Sequence, residues 1–164
     1  MKKRFILLAA TLTITAVFFV VKIQSSHFRV QSMSMSPTFQ PNDLLRFDKV
    51  PVDQINRFEV ILFDPGYSDL VEGDENIFAF RIIGLPTEVI SIIDNNIHVN
   101  GERIDANSAV SDIEYLPSRD GVSEWTVPEN HFFVLGDNPS VAYDSRYIGP
   151  VPFDRVQGMV VGVK

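Results

Sequence analysis

A serine attacks well only where a neighbouring group takes its proton. The stretch Ser32–Phe39, "SMSMSPTF", places Ser32, Ser34 and Ser36 between methionines ahead of Pro37. Any of the three raises the question of a base. Histidine is the commonest one, and the chain has His27, His98 and His131. None has metal-ligand spacing with another histidine, and each reads as an ordinary strand residue. There is no cysteine, which excludes disulfides, thiolate metal sites and cysteine nucleophiles. No glycine pattern fits a phosphate, and no G-x-S-x-G elbow occurs. The residues therefore point to serine chemistry without metal or cofactor.

The elements that must position such a serine start with an asymmetric N-terminus. Four of the 14 basic residues fall within Met1–Lys22 with no acid, leaving ten against 21 acidic residues and a formal charge of −11 for the rest. Such a surface repels nucleic acid and anionic lipid headgroups. Phe5–Val21, "FILLAATLTITAVFFVV", is an uncharged run of seventeen residues, about 26 Å long as a helix and just enough to cross a bilayer. No A-x-A-like pattern of small residues follows it, so a retained anchor is expected rather than a cleaved signal. Lys2, Lys3 and Arg4 place the N-terminus in the cytoplasm. The expected division is an anchor over 1–22 and an extracytoplasmic domain over 23–164. That domain reads as mostly β, with strands over 27–32, 43–50, 57–66, 77–86, 88–96, 131–138 and 155–163. Asn95-Asn96 and Asn100-Gly101 signal hairpin turns, and 106–124 reads as a polar, exposed excursion. No useful helical period appears after the anchor. Short strands with frequent turns imply one antiparallel, partly closed sheet system.

Four stretches then gain meaning together: "SMSPT" (34–38), "RFEVILFDPG" (57–66), "FRIIGLP" (80–86) and "GDNPSVAYDSRYIGPVP" (136–152). In this order, behind an anchor, they resemble the sequence boxes of type I signal peptidases, serine peptidases of S26 type. The resemblance covers nearly the whole chain. It implies a membrane-bound endopeptidase that cuts exported preproteins after a small residue at the membrane surface. It places Ser34 at the nucleophile and Ser32 at a position that helps form the oxyanion hole in some members. Val30, Met35, Phe39 and Ala79 fall at or near the wall of the substrate groove. Arg81, Asp137, Asp144, Ser145 and Arg146 fall on residues that support the site, the four charged ones through ion pairs.

The chain departs from this pattern where the proton should go. The family's base is a buried neutral lysine directly before the box arginine, and here that residue is Phe80. The only lysines are Lys2, Lys3, Lys22, Lys49 and Lys164, so no shift of register restores it. The serine that usually contacts the lysine is replaced by Ala142, and the arginine after "GDN" by Pro139. Strand alternation puts Phe78 and Phe80 on one face and Ala79 and Arg81 on the other, so Phe80 is expected to point at Ser34. Three readings follow. One is a working peptidase whose base is His131, His27 or a partner chain. Another is an impaired homologue that binds exported chains as an accessory or chaperone in secretion or surface-pilus assembly. The third, a LexA-type serine–lysine autoprotease, expects a catalytic lysine and a DNA-binding head, whereas this chain offers an anchor and an acidic domain.

Overall fold

Runs such as "VILF", "FAFRIIG" and "HFFVL" lack the polar alternation of a half-exposed sheet and call for burial on both faces. The computed structural model describes residues 26–66, 77–104, 113–118 and 120–164. Its strands are β1 Ser26–Arg29, β2 Leu44–Asp48, β3 Val60–Phe63, β4 Phe78–Gly84, β5 Val89–Ile93, β6 Asn96–Val99, β7 Glu102–Arg103, β8 Glu124–Thr126, β9 His131–Leu135, β10 Val151–Pro152 and β11 Val156–Val163. They form a seven-stranded sheet in the order β1-β2-β11-β3-β4-β9-β10 and a four-stranded sheet in the order β7-β6-β5-β8. The described strand pairs are antiparallel. The larger sheet is interrupted between Ile82 and Gly84, Val156 and Gly158, and Val160 and Gly162; such irregularities bend and twist a sheet.

β9 shows how one strand serves two cores. Phe132 and Val134 join a core with Leu45, Ile61, Phe63, Phe80 and Ile82, whereas Phe133 and Leu135 join Ile83, Ile90, Ile92, Tyr115 and Val127. Because side chains alternate faces, a continuous apolar run is what a strand between two cores requires. Arg57 links the two sheets at the surface. It donates to both Glu88 oxygens at 2.6 and 3.0 Å and to the Ile83 carbonyl.

Several expectations need correction. β1 ends at Arg29 rather than at residue 32, because Val30 turns away and pairs with the Asp43 carbonyl and the Asn42 amide at 2.9 and 2.8 Å. The first hairpin turns at Asp94-Asn95, both left-handed, one residue before the Asn-Asn signal; Asn100-Gly101 turns as expected. The excursion over 106–124 is not wholly exposed, since Tyr115 is completely buried. β8, β10 and a one-turn helix at Ser145–Ile148 are too short to carry a period. The anchor lies outside the described residues, among which no helix is long and apolar enough to cross a membrane.

Gly84 sits where the sheets meet. A Cβ there would lie 2.8 Å from Ile90 side-chain atoms and from the Phe133 Cβ. Gly84→Ala is therefore expected to cost about 1–3 kcal/mol by overpacking, read as a lower urea midpoint with an unchanged denaturant slope.

Candidate active site

The serine loop is held from below by its own apolar residues. Met35 and Phe39 are buried, and the Phe39 N–H donates to the Met35 carbonyl at 2.9 Å. Ser32 and Ser34 are thereby left at the surface of a cleft, their hydroxyl oxygens 2.8 Å apart. The Ser34 N–H also points at the Ser32 hydroxyl, at 3.4 Å. One hydroxyl thus stands beside both the Oγ and the amide of Ser34.

Two segments converge on this loop. The chain leaves β9 at Leu135, and Gly136 packs so tightly that a Cβ on it would lie 2.4 Å from the Ala142 Cβ, 2.7 Å from the Ser34 carbonyl oxygen and 3.2 Å from Phe80 Cε1. Asn138 then donates its N–H to the Ser34 carbonyl at 2.9 Å and its side-chain amide to the Met33 carbonyl at 3.2 Å. Arg81, from β4, donates Nε and Nη2 to the two Asp137 oxygens at 2.9 and 2.5 Å, and Nη1 to the Phe58 carbonyl at 2.8 Å. Thr38, from the serine loop, donates its hydroxyl to Asp137 at 2.5 Å. Arg81 and Asp137 are both buried, so this is a charge-assisted clamp with its hydrogen bonds made.

A second buried pair supports the other side. Arg146 donates Nε and Nη2 to the Asp144 oxygens at 2.8 and 2.9 Å, while Asp144 also accepts from the Gly136 N–H at 3.0 Å. The Ser145 hydroxyl accepts from the Val134 N–H at 2.9 Å. Asp144 caps the helical turn through the Arg146 N–H, as acidic residues before a helix do.

The cleft has a volume of about 280 Å³, and Val30, Ser32, Ser34, Met35, Ala79 and Phe80 are among its lining residues. Phe39 is not; it is buried in the first core beneath the loop. Phe80 is 2 % exposed and packs against Phe63 and Phe78, with ring centroids 5.9 and 5.7 Å away. No lysine, histidine or carboxylate lines the cleft among the described residues. His27 is on the exposed face of edge strand β1. His131 opens β9, its Nδ1 2.8 Å from the Glu129 carbonyl, about 13 Å along the strand from Leu135. Among the described residues no acidic or histidine cluster could hold a metal.

Sequence reasoning missed Tyr115, whose hydroxyl donates to the Gly136 carbonyl at 3.1 Å. A single tyrosine in a polar stretch gives no sequence signal of that contact. Desolvation raises its ionisation far above the ordinary tyrosine range, with the negative charges of Asp137 and Asp144 adding to the effect. Unfolded tyrosine loses its proton near pH ~10, while buried Tyr115 keeps it. The stabilisation is therefore complete below that pH and falls as pH rises beyond it, by up to about 1.4 kcal/mol per pH unit. Urea titrations across the alkaline range should show this slope in the wild type and a flatter one in Tyr115→Phe.

Residues 3–163 match the family model described as signal peptidase, peptidase S26. Signal peptidase I V of Bacillus subtilis (strain 168) is 31% identical over 98% of either chain. A probable signal peptidase I-2 of Synechocystis is 35% identical over 79% of this chain and 58% of its own length. The crystal structure of a signal peptidase I from Enterococcus faecalis V583 superposes with a TM-score of 0.51 at 27% identity, covering 68% of this chain and all of that one. The antiparallel sheet is of the curled, half-barrel kind seen in signal peptidase I. A family match over nearly the full length, a relative of equal extent and a shared sheet lead to one conclusion: this chain belongs to the type I signal peptidase family.

Proposed function

We propose that this chain takes signal peptides of exported preproteins into the cleft beside Ser34, on the frame of a membrane-bound serine endopeptidase, and that its cleavage step is impaired. The observation that carries this reading is the phenyl ring of Phe80 in the cleft wall, buried to 2 % exposure, where the family places an amine.

Peptide capture is supported by the open side of β4. Its first half pairs with β3 from Phe78 to Arg81, whereas β9 ends opposite Arg81 at Leu135. The Ile82 N–H and carbonyl bond the β3 side, through Glu59 and Phe58. By alternation the backbone groups of Ala79 face the other way, towards the cleft. An extended peptide can add there as a strand, its side chains meeting Val30 and Met35.

In the reaction of this family, Ser34 Oγ would attack the scissile carbonyl, and the Ser34 N–H with the Ser32 hydroxyl would bind the oxyanion. The missing step is proton removal, since Phe80 offers no lone pair. Ala142 likewise lacks the hydroxyl that would orient an amine. Loss of a base from such a unit costs roughly 10³- to 10⁶-fold in rate. Arg81, Asp137, Asp144, Ser145 and Arg146 are buried and do not line the cleft; they would support the capturing surface from behind. A binding role in secretion or surface-pilus assembly is the second reading, favoured by the paired occurrence of Phe80 and Ala142. The apolar run of residues 5–21 would hold the protein in the bilayer with its N-terminus cytoplasmic and residues 23–164 outside.

In detergent, wild type and Ser34→Ala are expected to cleave a preprotein equally poorly. Phe80→Lys, alone or with Ala142→Ser, should raise cleavage by about 10²-fold or more. That activity should climb from neutral to alkaline pH, because a lysine buried in this dry cleft would have a depressed pKa. Efficient wild-type cleavage abolished by Ser34→Ala would instead establish a working peptidase with another base.

Intact-mass measurement of the mature membrane protein tests the anchor, and is expected to find residues 1–25 retained.

A further inference from the structure

Tyr115 is fully buried although its surroundings in the sequence are polar. Its N–H donates to the Asn95 carbonyl at 3.0 Å, which ties it to the β5–β6 turn of the smaller sheet. Its ring packs in the second core with Ile83, Phe133 and Leu135. The Arg146 guanidinium lies over the ring at 5.5 Å from its centroid. Only the hydroxyl reaches the other side, where it donates to the Gly136 carbonyl at 3.1 Å.

That carbonyl belongs to a residue with no room for a side chain. The Gly136 N–H is already held by Asp144 at 3.0 Å, and the space for a Cβ ends 2.7 Å away at the Ser34 carbonyl oxygen. Two residues further on, the Asn138 N–H grips the same oxygen at 2.9 Å. A shift of Gly136 therefore reaches Ser34 through the short stretch to Asn138 and its bond to the Ser34 carbonyl.

We propose that Tyr115 is a positioning residue for the serine site: its hydroxyl, anchored in the second core, fixes Gly136 and through it the placement of Ser34 against the open side of β4. Tyr115 does not itself line the cleft. A tyrosine hydroxyl is protonated at physiological pH, so the donor persists there. The consequence for peptide binding rests on the function proposed above; the geometric consequence does not.

Two measurements on the full chain in detergent test this. Amide hydrogen exchange at Asn138 is compared with exchange at Leu45 and Ile61 in the first core, and the affinity of a synthetic signal peptide is measured by fluorescence anisotropy. Tyr115→Phe should accelerate exchange at Asn138 selectively and weaken the peptide about five- to tenfold, the equivalent of one lost hydrogen bond. Val127→Ala, in the same core, supplies the purely structural comparison: lower stability, with neither selective exchange at Asn138 nor weaker binding. The proposal is overturned if Tyr115→Phe behaves like Val127→Ala or like the wild type. Should Tyr115→Phe not fold, 3-fluorotyrosine at position 115 keeps the ring and makes the hydroxyl a stronger donor; exchange at Asn138 should then change selectively, towards slower, and an unchanged Asn138 overturns the proposal. If the wild type binds no signal peptide, the proposed function fails, and the exchange comparison alone decides the role of Tyr115.

Discussion

The buried ion pair between Arg81 and Asp137 joins the three segments from which the site is made. Arg81 comes from β4, Asp137 from the loop after β9, and Thr38 reaches the same carboxylate from the serine loop. Charges taken out of water are costly unless their hydrogen-bonding capacity is met. Here the guanidinium has two carboxylate oxygens and the Phe58 carbonyl, and the carboxylate also has the Thr38 hydroxyl. The satisfied pair is compatible with burial, and neither partner could be removed without stranding the other charge. This explains how the surface loop carrying Ser32 and Ser34 can hold a fixed geometry.

Around that clamp, the absence of a side chain at Gly136 decides how closely the segments approach. Ala142, Phe80 and the Ser34 carbonyl occupy the space in which a Cβ would sit. The second pair, Asp144 with Arg146, then closes the loop from the other side by holding the Gly136 N–H and the Pro139 carbonyl. The two acidic residues thus have separate tasks, one towards β4 and one towards the backbone of the loop itself.

Phe80 is part of the packing of this frame. Its ring joins the Phe63–Phe78 cluster and leaves the surroundings apolar, the same dryness that would depress the pKa of an amine. The frame of a signal peptidase and the lack of a base in the described cleft are therefore compatible in one molecule. Apolar packing and ion pairs hold the architecture, whereas proton transfer depends on a single lone pair in one place.

Much was legible in the residues themselves. The β-rich class, most strands and the Asn100-Gly101 turn follow from local patterns of apolar and turn-forming residues. The absence of a cysteine and of a lysine at position 80 is a matter of composition and needs no folding. The four boxes singled out Ser34, Arg81, Asp137 and Arg146 by resemblance, and the structure brings the segments that carry them together. What the sequence could not supply were contacts between distant segments. Phe39 lies near Ser34 in sequence but points into the core under the loop. Tyr115 stands in a polar stretch, yet its hydroxyl meets Gly136 across 21 positions. The division of β9 between two cores, and the exclusion of His27 and His131 from the cleft, likewise arise only when the sheets close upon each other. Periodicity encodes which face of a strand is apolar; only tertiary packing decides what that face meets.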